Sequence, residues 1–478
     1  MIWNRSSSAW LAKMEAATTY QQWAEYALEL DRQSGGDDWR HSEVSSQYDY
    51  RSVRQRLEHL RGLRARKDYA GLMFALNEGI HGNLAGMGRA ELYGRARMGT
   101  KRLIHDYIEE VCQALEALSA VDDKSIGPQQ KEDFFQRASH CFGRSALMLS
   151  GGAALGFFHA GVIKALLAEN LLPSIISGSS AGSIIAAITC THLDEELPEK
   201  LSAKRIAMHS EHGAKARKDK GDRRTVGTQE LVEYLARVIP DLTFEEAYRL
   251  TGRKLNVTVT GLAPRQAPRL LNAITAPNVM IRSAVQASCA LYGLFPPVTL
   301  TAKNAAGEQV AYLPEQQWID GSYVDDLPAK RLGRLYGVNH FISSMVNPAA
   351  LLFTPNPDAR QGLVQSVVNL QVKWTKSAAT QLLQFSRRHL RTSNPTLSRW
   401  QHLSYNVLAQ EYTADINIFL AKRWHNPLKL MAPLPLAEVE QLVREGKQQT
   451  WERMEMVRNC TAISRTLDTI LQRHHWSA

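Results

Sequence analysis

A serine set between glycines, Gly178-Ser179-Ser180-Ala181-Gly182, has the G-x-S-x-G spacing of a nucleophile elbow. In such an elbow the serine sits on a sharp strand-to-helix turn, and small neighbours let the backbone bend without clash. The flanks fit: Pro173 to Ile176 reads as a short buried strand, and Ser183 to Ile188 as the apolar start of a helix. Upstream, the apolar run Leu147-Met148-Leu149-Ser150 ends in Gly151-Gly152-Ala153-Ala154-Leu155-Gly156, ahead of an expected helix from about Gly156 to Glu169. Backbone N–H groups left uncovered at the positive end of a helix dipole suit an oxygen that gains negative charge. Downstream, Trp318-Ile319-Asp320-Gly321-Ser322 ends a second apolar run in Asp-Gly, a carboxylate at a strand end with a glycine for the turn. Singly these are ordinary turns; in this order they assemble an ester-cleaving site. Ser180 is the nucleophile, Asp320 the candidate general base, and the N–H groups near Gly152, with that of Ala181, face the oxyanion.

Rival chemistries fit less well. The first glycine turn lacks the G-x-x-x-x-G-K-[ST] lysine of a phosphate loop and does not match G-x-G-x-x-G, which argues against nucleotide binding. Fifteen histidines are available for a Ser-His-Asp triad. His159 falls on the helix after the glycine loop and His81 in the N-terminal region, both expected to pack or hydrogen-bond locally. His340 follows Asp320 as the order Ser, Asp, His requires, but reads as a residue entering a buried strand. An aspartate near its ordinary pKa of ~3.9 is a weak base, so either burial raises it or the oxyanion donors supply most of the rate.

With those residues in hand, the chain resembles the patatin-like acyl hydrolases, whose fold is a three-layer α/β/α core. The resemblance implies a Ser180–Asp320 dyad working without histidine. It implies an oxyanion loop from Gly151, Gly152 and Ala153, with Gly156, Gly178, Gly182 and Gly321 as motif glycines. Within that family the chain is similar to fungal and plant triacylglycerol lipases of the lipid-droplet type. The likeness extends to Trp39, Tyr48-Asp49-Tyr50, His81-Gly82-Asn83-Leu84, Gly227-Thr228-Gln229, the run Asp241 to Tyr248, Ala287-Ser288-Cys289-Ala290 and Gly293-Leu294-Phe295-Pro296-Pro297. Ala153 and Leu155 stand where many members carry a third glycine and an arginine. Alanine still donates its N–H, so only a side-chain anchor is lost. Ser322 follows the dyad glycine, as in the triacylglycerol-lipase subgroup.

The elements that must position these residues follow from pattern. At 478 residues and 44% hydrophobic, the chain can hold two or three domains. Residues 1–143 show helical periodicity with few strand signals and form a helical N-terminal domain. Residues 144–345 alternate strands (146–150, 174–177, 255–260, 341–345) with helices, as a mostly parallel α/β layer does, and form the catalytic domain. Residues 346–478 return to helix as a C-terminal extension. Glu211 to Arg224 is charged and reads as an exposed loop.

Five scattered cysteines show no metal spacing and fit a reducing cytoplasm, with Cys289 expected in the core; no cofactor or metal is called for. Met1 to Ser6 has no apolar signal core, and no run is long enough to span a membrane. The net charge of +10 comes without any nucleic-acid motif, so an anionic lipid surface is the expected partner. Leu363 to Arg391, with Trp374 on an apolar face and Lys373, Lys376, Arg387, Arg388 and Arg391 at its flanks, reads either as an interfacial amphipathic helix or as a helix packed on the core. The expected function is a serine-dependent lipid acyl hydrolase, cytoplasmic and peripheral to a membrane or lipid droplet. A lysolipid acyltransferase using the same serine and a non-catalytic lipid-binding scaffold are the alternatives.

Overall fold

In the computed structural model, the described residues are 5–80, 84–122, 125–208, 226–263, 266–353, 410, 414–422, 430 and 432–476. His81 to Asn83, Glu211 to Arg224 and Leu363 to Arg391 therefore lie outside them. Two compact units divide the chain: residues 1–145 with 332–340 and 451–478, and residues 146–331 with 341–450. The stretch beyond 346 is thus distributed over both.

The first unit is helical. Its central helix, Arg102–Ser119, buries Leu103, Ile104, Tyr107, Ile108, Val111, Leu115 and Leu118, an i, i+3, i+4 stripe that packs on Tyr50–Ala65 and on Met454–Arg473. The aromatic and acidic signals of the N-terminal sequence serve structure here. Asp49 caps Tyr50–Ala65 by accepting the Ser52 N–H at 3.2 Å, satisfying a donor the helix leaves unpaired. Lys101, wholly buried, donates to the carbonyls of Trp39 and Ser42, each at 2.7 Å, with its ammonium over the Trp39 ring.

The second unit is built on a mixed sheet. Its strands are β1 (Arg144–Leu149), β2 (Ile175–Gly178), β3 (Lys254–Gly261), β4 (Arg269–Leu271), β7 (Trp318–Asp320), β8 (Val338–Met345) and β9 (Ile416–Phe419). Their order is β4-β3-β2-β1-β8-β9, with β7 also paired to β3; a separate hairpin joins β5 (Leu300–Lys303) and β6 (Gln309–Tyr312). Pairs β1–β2, β2–β3 and β8–β9 are parallel, while β4 and β7 run antiparallel to β3. Strand β2 is buried along its whole length and β1 from Ala146 onward, hence the unbroken apolar runs rather than alternation. The elbow helix Ala181–Cys190 packs on β2 and β3, and helix Ile281–Ser288 on β3 and β7. This is the α/β architecture expected, with two antiparallel strands and the C-terminal β9 added to it.

Register delivers the site. Leu149 pairs with Gly178, so β1 and β2 end level with each other. The glycine loop and the elbow therefore leave the sheet side by side, at the carboxyl ends where open α/β sheets place ligands. Gly178 pairs with Val257, and two residues further along β3 Val259 pairs with Asp320. An antiparallel return strand thus brings the aspartate to the same end of the sheet.

Candidate active site

Ser180 has φ 49° and ψ −127°. That is a backbone region serine rarely occupies, at a cost of about 1–3 kcal/mol that surrounding bonds must offset. They are present: the Ser180 N–H donates to Ser288 Oγ at 2.9 Å, Ser183 Oγ donates to the Ser180 carbonyl at 2.6 Å, and the Ser179 N–H donates to Leu149 O at 3.2 Å. The flanking glycines are required by close approach. A Cβ on Gly178 would run into the Gly182 carbonyl, and one on Gly182 into that of Leu149. Ser180 keeps 7% of its surface exposed, enough for an incoming carbonyl carbon and little else.

Asp320 is wholly buried at the end of β7. Its Oδ1 accepts the Ser322 N–H at 2.8 Å. The Ser180 hydroxyl stabilises its ionised form, yet Oδ2 has no partner at full hydrogen-bonding geometry, an arrangement that in unliganded sites tightens when substrate arrives. Burial raises the carboxyl to about 7, against the opposing pull of the Ser180 and Ser322 hydrogen bonds; nearby Asp326 adds to the rise. Desolvation, the first of the two routes open to a weakly basic aspartate, is thus present at Asp320. The expected consequence is an acid limb in kcat/KM with an apparent pKa near 7, because the base must be ionised to accept a proton. Turnover of a soluble ester measured from pH 5 to 9, on a common active-site-titrated enzyme, tests it; a flat profile through pH 6 would remove Asp320 as the base.

The donors facing the site differ in one respect from expectation. The Gly151 N–H is taken by Asp326 Oδ1 at 2.8 Å, so it is not offered to an oxyanion. Among the described residues no acceptor takes the N–H of Gly152, Ala153 or Ala181. These three remain as candidate donors, each at the start of a helical turn. Gly156 and Gly321 are both buried at close approaches, to Ala181 and to the backbone of Thr258 respectively.

Among the described residues, histidine does not enter. His159 is buried between the Ser344 hydroxyl on Nδ1, at 2.7 Å, and the Ser150 carbonyl on Nε2, at 2.9 Å; burial lowers it to about 4, so it is a neutral brace beneath the glycine loop. His340, on β8, meets Ser145 Oγ at 3.1 Å. Among the described residues no histidine hydrogen-bonds Ser180 or Asp320. Nor does any group of three or more His, Cys, Asp or Glu side chains gather there as a metal would need.

An apolar cleft, open at its mouth, leads to Ser180. Ala153, Ala181 and Cys289 line its floor, and Phe157, Ile184, Leu231, Tyr234, Phe295 and Leu434 its walls. Burial pushes the Cys289 thiol far up, so it contributes apolar surface rather than a thiolate. Such a lining accepts hydrocarbon and supplies few hydrogen bonds.

Residues 147–332 match the family described as patatin-like phospholipase. That stretch is a patatin-like domain. Residues 1–140 match a domain of unknown function, DUF3336. Triacylglycerol lipase SDP1L of Arabidopsis thaliana is 31% identical over 476 residues, covering 96% of this chain and 58% of that protein. Triacylglycerol lipase 5 of Saccharomyces cerevisiae is 30% identical over 474 residues, covering 93% and 62%. Triacylglycerol lipase ptl2 of Schizosaccharomyces pombe is 28% identical over 482 residues, covering 98% and 76%. The chain therefore spans about three-fifths of the length of the first two relatives. VipD of Legionella pneumophila matches at TM-score 0.33 and 16% identity, over 66% of this chain and 67% of that one, a likeness too slight to use.

Within this patatin-like unit, the structure gathers Ser180, Asp320 and the glycine loop as the motifs implied. It adds four side chains to which the sequence reading gave no role: Ser179, Ser288, Asp326 and Asn347. The signal for Asp326, in Asp325-Asp326-Leu327-Pro328, is a second acid shortly after the first. Nothing local marks it as buried.

Proposed function

We propose that the protein is a serine-dependent acyl hydrolase of lipid esters, working through an acyl-enzyme on the Ser180–Asp320 dyad. The reading rests on one observation: a serine held in a strained elbow, at the floor of an apolar cleft, beside a fully buried aspartate raised to about 7. Ser180 Oγ attacks the ester carbonyl as its proton passes to Asp320. The N–H groups of Gly152, Ala153 and Ala181 hold the oxygen that becomes negative. The proton then leaves on the alcohol, and water, activated by the same carboxylate, releases the fatty acid. The printed names of the relatives, triacylglycerol lipases, favour neutral glycerolipid as substrate. A helical N-terminal domain (1–143), a catalytic domain (144–345) and a C-terminal extension are the corresponding division of labour.

A fluorophosphonate, which reacts with an activated serine and ignores an inert one, should label the wild-type protein at Ser180 and leave Ser180→Ala unlabelled. Incubation with triacylglycerols and phospholipids, with the same variant as control, then reads out the substrate class. Absence of labelling in the folded wild type sinks the dyad.

Substrate of this kind lies in or under a lipid surface, and we propose reversible attachment there. No helix among the described residues is long and apolar enough to cross a membrane, and the chain carries a net charge of +10. Basic side chains near an anionic leaflet contribute about 1 kcal/mol each and are screened over about 8 Å at physiological salt. Binding to anionic vesicles should therefore weaken with salt. Replacing Arg387, Arg388 and Arg391 by Gln should reduce it, together with activity on aggregated lipid, while hydrolysis of a soluble short-chain ester barely changes. Equal co-sedimentation of wild type and triple variant would remove these three arginines from the attachment.

A further inference from the structure

Among the described residues of the second unit, Asp326 is the most heavily engaged buried carboxylate, and the mechanism above does not use it. It lies six residues past Asp320, wholly buried. Its Oδ1 accepts the Gly151 N–H at 2.8 Å and, over a shorter distance, the Ser179 hydroxyl; its Oδ2 accepts Asn347 Nδ2 at 2.9 Å. Its own N–H donates to Gln410 Oε1 at 2.9 Å, and Gln410 Nε2 donates to the Ser322 carbonyl at 3.0 Å. One side chain thus ties together the residue before the oxyanion donors, the residue before the nucleophile, and the segment that follows β8. Its backbone, through Gln410, is joined to the turn that carries Asp320.

From this convergence we infer that Asp326 is a positioning residue for the reaction, fixing the oxyanion loop and the nucleophile elbow in mutual register. It touches neither substrate nor the reacting atoms. Gly151 N–H and Asn347 Nδ2 can only donate, and the Ser179 hydroxyl donates as well. A carboxylate, which is acceptor only and offers about four lone-pair sites, satisfies all three at once. An amide or a protonated acid would turn one of its own donors against them. Charge-assisted bonds are also roughly twice as strong as neutral ones. Gly151 is adjacent to Gly152, and a Cβ on Gly151 would touch Ser180 Cβ at 3.2 Å. A small shift of the loop at this point moves the donors relative to Ser180 Oγ, and oxyanion donors act only when aimed at the position the oxygen will occupy. The neighbourhood is acidic: burial raises Asp326 to about 6, nearby Asp325 adds to the rise, and Asp326 in turn raises Asp320. The donors, rather than a cation, are what hold its charge.

The inference rests on the dyad reading, and the test separates the two. Asp326→Asn keeps the shape and loses the charge. It should lower kcat by ~10²-fold, the scale of one misaimed oxyanion donor, with KM changed less than about threefold. The affinity for a trifluoromethyl ketone, which forms a tetrahedral oxyanion on Ser180, should fall in parallel with kcat. A purely structural role would lower the active fraction instead, leaving per-site kcat and inhibitor affinity intact once sites are counted with fluorophosphonate. Ser179→Ala removes one arm of the network and serves if Asp326→Asn does not fold; a smaller loss, ~10-fold in kcat and in ketone affinity, is expected. Asp326→Glu should not rescue, since the extra methylene has no room in a fully buried site. If wild type labels but folded Asp326→Asn, or in its place Ser179→Ala, matches it per site in both kcat and ketone affinity, Asp326 is only a structural residue. If wild type fails to label, it is the dyad that falls.

Discussion

Ser180→Ala should abolish ester hydrolysis, and Asp320→Asn should lower kcat by at least ~10³-fold, because the amide keeps the shape of the carboxylate but cannot accept the proton. His340→Ala should leave most activity, since His340 meets Ser145 rather than either member of the dyad. Steady-state rates on a soluble ester and on emulsified triacylglycerol decide the matter. Near wild-type turnover in Asp320→Asn, with loss in His340→Ala, would replace the dyad by a triad. A second readout separates lost chemistry from lost structure. The folded-state pKa of Asp320, about 7, lies above the unfolded value of ~3.9. Its relative contribution to stability is therefore fully present below about pH 4 and is lost as the pH rises through about 7. Above that pH the native state holds a buried charge that asparagine does not carry. Asp320→Asn should accordingly melt higher than wild type at pH 8, by an amount that shrinks toward pH 4. A variant that is both inactive and less stable at pH 8 would mean that the amide disrupts the site rather than only disarming it.

Gly152→Pro should lower kcat by ~10²-fold or more, since proline deletes one candidate oxyanion donor and fixes φ. Proline also adds a Cβ, which at this position would press on Val346 Cγ2 and its carbonyl. Gly152→Ala is therefore the needed partner: it brings the same Cβ and keeps the N–H. If both fold by circular dichroism, the excess loss in the proline variant reports the donor, and whatever they share reports the crowding at Val346. Equal kcat in the two variants would remove the Gly152 N–H from the mechanism.

What could be read from sequence was the part of the site made by local turns. Ser180, Asp320 and the glycines each sit at or just past a strand end, and carbonyls that leave no room for a Cβ require glycine at Gly178, Gly182 and Gly321. Gly151 is the instructive exception. Its place in the loop marks it as a donor, but the acceptor that takes it lies 175 residues away, and no local pattern carries that information. The same holds for Asn347 and Gln410, polar residues in the stretch read as a helical extension, where nothing local marks them as partners of Asp326. Parallel strands β1, β2, β3 and β8 are buried and were legible as apolar runs. Strand β9, four residues in a stretch of helical composition, has no period long enough to declare itself, and it takes its strand form from pairing with β8.

The position of β8 in the sheet, between β1 and β9, bears on when the protein can first act during its synthesis. The match to the patatin-like family ends at residue 332. A nascent chain that has emerged only that far already holds Ser180 and Asp320. It lacks the strand that covers the far side of β1, the Asn347 arm of Asp326, and the Leu430 and Leu434 walls of the cleft. Its β1 would present an open edge, the kind that pairs with other chains. A chain stopped at that point would be expected to expose this edge to other chains before the cleft is complete.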